Sequence, residues 1–108
     1  MPIYNKLVRN LIPAIIEKDG KTCVTKTLDA SDYSIEVTKK MREELAEYER
    51  AETTQDSLEE LADLLELIHA AATIHGASIE ELETIRASKA TIRGGFDKRI
   101  FLVEVHDD

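Results

Sequence analysis

Glu44-Leu-Ala-Glu47 and Glu60-Leu-Ala-Asp63 are two phrases of one shape: acid, two residues, acid. Within a helix, residues three apart are neighbours on one surface, so each phrase presents a pair of carboxylates. Twelve residues separate Glu47 from Glu60, enough to end one helix, turn and start the next. Two antiparallel helices would bring all four carboxylates face to face. Four converging carboxylates repel one another unless a cation lies between them. Hard divalent ions, Mg2+ and also Mn2+, favour oxygen ligands of this kind.

Placing the residues at about 100° per step around each helix sharpens this reading. In the first helix of the pair, Val37, Met41, Leu45 and Tyr48 mark an apolar stripe. Glu44 falls inside it, between the directions of Tyr33 and Val37, and Glu47 lies at its border. A buried carboxylate must be paired, protonated or bound to a metal. In the second helix, Leu58, Leu61, Leu65, Ile68 and Ala72 form one face. Leu67, Ala70, Ala71 and Ile74 cover much of the opposite side. A helix apolar nearly all round is central or lies at an interface, so a homodimer or homotetramer is expected. Glu60 lies between Leu67 and Ala71, and Asp63 between Ala70 and Ile74. Glu66, on the same broad side, is a fifth candidate ligand.

The simpler account makes these acids surface residues. The helix dipole favours acids near an N-terminus, and Ser57 with Glu60 has the spacing of a capping box. That explains Glu59 and Glu60 well and Asp63 poorly. It leaves Glu44 and Glu47, far along the other helix, unexplained. The pairing on two adjacent helices therefore favours a metal.

The rest of the chain frames this centre. Its 108 residues fit one domain spanning the whole sequence. The net charge of −8 is uneven. Residues 1–27 carry five basic and two acidic side chains, whereas 41–83 carry two basic and thirteen acidic ones. Residues 84–108 return to five basic against four acidic. The acidic centre argues against binding a nucleic-acid duplex, which needs a basic face. A compact polyphosphate with its metal ions suits both parts, carboxylates for the metal and Lys or Arg for phosphate. No stretch of apolar residues is long enough to cross a membrane. The opening Met-Pro-Ile-Tyr-Asn-Lys has no apolar signal region, and Cys23 is the single cysteine. A reduced, cytoplasmic protein is the expectation.

Residues 4–9 read as extended. A short helix is expected from Leu11 to Asp19, with Asn10 as N-cap, Pro13 in the first turn and Gly20 as its stop. Lys21 to Leu28, rich in Thr and Val, reads as a strand. Helices follow over Asp32–Glu52 and Gln55–His75, with Thr53 and Thr54 at the turn and Gly76 as stop. Ser78 and Glu81 form a capping box for a last helix, Ile79–Arg93, ended by Gly94-Gly95. Ile100 to Val105 reads as a strand able to pair with residues 21–28. The expected fold is mainly α, a helical bundle with a small β-strand pair. His69 reads as a core or interface residue and His75 as a partner of a helix C-terminus. Cys23 reads as a small buried hydrophobe.

The chain resembles the MazG-like all-α nucleoside triphosphate pyrophosphohydrolases, and more narrowly the small phosphoribosyl-ATP pyrophosphohydrolase-like members. The acid pairs match that family's ExxE and ExxD signature. Tyr4-Asn-Lys-Leu-Val-Arg-Asn-Leu-Ile-Pro13 and Lys89-Ala-Thr-Ile-Arg-Gly-Gly-Phe96 match its opening and its basic segment after the last helix. Asn10 and Ala14 depart from it, where Asp and Glu are usual. The resemblance implies Mg2+-dependent hydrolysis between the α and β phosphates, giving a nucleoside monophosphate and pyrophosphate. It assigns Glu44, Glu47, Glu60 and Asp63 to the metal and catalysis. It assigns Lys6, Arg9, Lys89 and Arg93 to substrate phosphates, the last two spaced for one helical face. The alternatives are a catalytically silent nucleotide- or metal-binding subunit and a helical interaction module. No residue cluster names the base.

Overall fold

The computed structural model describes residues 2–107. It contains four helices: α1 (Ile12–Lys18), α2 (Ala30–Arg50), α3 (Thr54–Ile74) and α4 (Ile79–Arg93). The chain is mainly helical, and the two long central helices carry the acid phrases. Caps set their limits. Asp29 stays extended and its carboxylate accepts from the Asp32 amide at 2.8 Å, so α2 starts ahead of the expected Asp32. Ala51 leaves the helical conformation and closes α2. Thr53 then caps α3, its hydroxyl accepting from the Asp56 amide at 3.1 Å. With so short a link, α2 and α3 must turn back on each other as an antiparallel hairpin.

That cap position bears on Glu60. Ser57 lies inside α3 and Thr53 does the capping, so Glu60 sits in the second turn. The capping-box account of Glu60 therefore fails. At the far end, Gly76 takes φ +74°, the left-handed conformation that ends helices and suits glycine. Ser78 caps α4 through the Glu81 amide at 3.1 Å, as its spacing leads one to expect. The short α1 begins at Ile12 rather than Leu11, and its N-cap is Leu11, with no side-chain cap bond, rather than Asn10.

The expected strand pair does not form among the described residues. Residues 21–28 and 100–105 run outside any helix or strand. Val24 and the side chains from Ile100 to Val105 are largely exposed. Threonine and valine favour strands because they pack well on a pleated surface, and here nothing packs on them. A lone two-stranded pair is in any case marginal in water.

The α2–α3 hairpin makes the main packing, and α4 leans on α3. Among the described residues the buried apolar side chains are Val37 and Ala72, and the buried charged one is Glu44. The molecule is elongated, 67 × 36 × 23 Å. No helix among the described residues is long and apolar enough to cross a membrane.

Candidate metal centre

The hairpin brings Glu44 and Glu47 of α2 against Glu60 of α3. Each offers a carboxylate oxygen, and these oxygens all lie within 4.8 Å of one another. Glu44 is 7% exposed, and Glu47 and Glu60 are half-buried. Two oxygens, Glu44 Oε2 and Glu60 Oε2, are buried and have no hydrogen-bond partner. A buried acceptor without a partner is costly, more so when charged.

The protonation of the group reflects that cost. The hydrogen bonds that a protonated Glu60 can make to the carboxylates of Glu44 and Glu47 push its pKa up to about 7. Its burial and the neighbouring negative charges act in the same direction. Glu44 is also raised, first by burial and then by the charges of Glu47 and Asp63. Its hydrogen bond with Glu60 and the Lys40 ammonium partly oppose the shift. Lys40 is a contributor the sequence reading passed over. Its Nζ stands 3.9 Å from Glu44 Oε1 and 3.6 Å from Glu43 Oε1. The signal was there, as a lysine four residues before Glu44.

Asp63 behaves differently. Its Oδ1 accepts from Arg9 Nη2 at 2.6 Å. The N-terminal segment thus docks on the acid side of the hairpin through a residue 54 positions away. Asp63 belongs to the same acidic surroundings, since its charge is felt at Glu44. It stands outside the close trio. Glu66, the fifth candidate, faces His69 at 3.9 Å instead. Lys6 is exposed, with its Nζ 5.5 Å from the ring centre of Tyr4. Lys89 and Arg93 lie exposed on α4. His75 is the C-cap of α3, and Cys23 is half-buried.

The donor set fits a hard divalent cation. Three carboxylates supply oxygen ligands and negative charge, and the two orphaned oxygens are groups that a cation would satisfy at once. Mg2+ binds through few carboxylates and keeps several waters, which leaves positions for a phosphate. Comparison with protein families, curated proteins and solved structures finds no match to this chain.

Proposed function

We propose that the chain is a cytoplasmic, Mg2+-dependent nucleoside triphosphate pyrophosphohydrolase of the MazG-like kind, working as a homo-oligomer. It would cleave between the α and β phosphates to release a nucleoside monophosphate and pyrophosphate. One observation carries the reading: Glu44, Glu47 and Glu60 converge, and Glu44 Oε2 and Glu60 Oε2 are buried with no hydrogen-bond partner unless one of the carboxyls is protonated. When bound, a divalent ion offsets the charge of a polyphosphate and makes coordinated water easier to deprotonate.

The remaining roles fall to the chain's own groups. Glu44 and Glu60 supply the inner oxygens. Glu47, less buried, orients the attacking water or takes its proton. Arg9 is held at the rim by Asp63, and its planar guanidinium suits a phosphate as well as it suits that carboxylate. Lys6 follows on the same segment, with Lys89 and Arg93 on α4 as further phosphate partners. Asp63 fixes Arg9 in this state and becomes a ligand if Arg9 moves to the substrate.

The test is a panel of nucleoside triphosphates incubated with the protein and Mg2+. Pyrophosphate and a monophosphate should accumulate, and EDTA should stop the reaction. Release of orthophosphate would refute cleavage at the α–β position. Saturable Mg2+ and nucleotide binding without any product would favour a silent binding module instead.

A further inference from the structure

The chain turns twice after α4. Gly94 ends the helix at φ +85°, and its amide donates to the Ala90 carbonyl at 2.8 Å. The Arg99 amide then donates to the Phe96 carbonyl at 3.0 Å, which closes a turn through Asp97 and Lys98. Arg99 itself takes φ +58°, a left-handed conformation that side chains disfavour. No packing demands it, since every residue from 91 to 101 is exposed. Backbone strain of this kind collects at sites that hold ligands.

An open cleft of about 310 Å3 lies at these turns, lined by Gly95, Phe96, Lys98, Arg99, Ile100 and Phe101. That is the small end of the ~300–1,000 Å3 range of small-molecule sites. Both phenylalanines of the chain stand at it, 98% and 87% exposed. Among the described residues, neither Lys98 nor Arg99 forms an ion pair. An apolar partner over the cleft would bury those two cations without counter-charge, which is costly. A flat, electron-rich ring with acceptor atoms suits both the aromatic faces and the cations. From Arg93 to Phe96 the chain spans at most about 11 Å, a distance that a nucleotide bridges between its phosphates and its base.

We propose that this cleft receives the base of the nucleotide, and that it favours a 6-oxopurine such as guanine. The rings of Phe96 and Phe101 stack on the base. Lysine and arginine only donate, so they match an edge made of acceptors. Guanine offers two together, O6 and N7, and a guanidinium spans them. Adenine and cytosine present an amino donor at the same place. The proposal rests on the preceding reading for the phosphates at Arg93, and it adds which nucleotide is taken.

The test is an NMR titration of the full chain with GMP, AMP, CMP and ribose 5-phosphate, watching the ring signals of the two phenylalanines. GMP should shift both, at an affinity at least fivefold above that of AMP, and ribose 5-phosphate should shift neither. Phe96→Leu and Phe101→Leu should each weaken GMP roughly tenfold. Arg99→Gln, whose amide serves either base, should bring GMP and AMP within about twofold, and Arg99→Lys should restore part of the preference. All three positions are exposed, so circular dichroism should show unchanged helices. GMP binding of this kind without any triphosphate hydrolysis would keep the base site and sink the preceding reading. Hydrolysis at one rate for all bases, with unmoved rings, would do the reverse. Equal shifts with ribose 5-phosphate would overturn the proposal, as would tighter binding of a single-stranded oligonucleotide than of GMP.

Discussion

On its acid side, the α2–α3 hairpin gathers groups that ought to repel; on its apolar side it leaves exposed groups, Leu58, Leu61 and Leu65 among them, that ought to be buried. Both are unfavourable for an isolated chain, but they differ in kind. The acid side lacks positive charge at a point, and one ion or one proton relieves it. The apolar side lacks area, and only a macromolecular surface supplies that. The hairpin is thus left unsatisfied on two sides, for two different physical reasons. Altering one side should leave the other's behaviour intact.

Glu60→Gln gives the largest effect. It removes a ligand charge from the trio while keeping the shape of the side chain. If the proposed activity holds, pyrophosphate release should fall by roughly a thousandfold, the scale of several kcal/mol of lost charge stabilisation. The metal-free protein should gain stability at pH 8, because the substitution removes like-charge repulsion. Opposite signs in the two assays would mark Glu60 as a group kept for function at the expense of the fold. Association through the apolar side should not change. A thermal melt of Glu60→Gln at or below the wild type, without metal, would contradict the strained-trio account.

The pH dependence of the metal-free protein comes next in size. Glu60 titrates near 7 when folded, against an ordinary value of 4.5. Between those two values the folded state holds a proton that the unfolded state has lost. Stability should therefore fall as pH rises from about 4.5 to about 7, and level off above. Glu44, raised in the same direction by burial, adds to the trend. Saturating Mg2+ should flatten the curve on its alkaline side, since binding favours the ionised trio. Melting temperatures at pH 5.5 and pH 8, with and without Mg2+, measure both parts. A metal-free protein more stable at pH 8 would show that the trio is not strained.

Much of this was legible in the sequence, for local reasons. Thr53 and Ser78 cap α3 and α4, Gly76 and Gly94 stop them, and so their limits follow from residues near each end. The start of α2 was missed because Asp32 and Asp29 are both plausible caps, and the choice depends on the path of the preceding loop. The strand pair was misread because β-forming residues predict a strand only where a partner edge exists. Within the acid group, the approach of Glu44, Glu47 and Glu60 follows from helical periodicity and a short link. The diversion of Asp63 does not. It depends on where the N-terminal segment lies, and no spacing within the helices encodes that path.

Arg9→Ala isolates that diversion and should give the smallest change in stability. The ion pair is short, but its side chains are 57% and 40% exposed, so water screens it. Such pairs contribute about 0.2–1 kcal/mol, and the melting temperature should move little. Two other readouts should move in opposite directions. Removing a cation beside an acidic group makes the local potential more negative and frees Asp63, so Mg2+ should bind more tightly by calorimetry. Removing a phosphate partner should raise the KM for the triphosphate if the proposed activity holds. A purely structural Arg9 would change neither. Tighter metal binding with weaker substrate binding would identify Arg9 as a group shared between the acid side's own carboxylate and the phosphate it awaits.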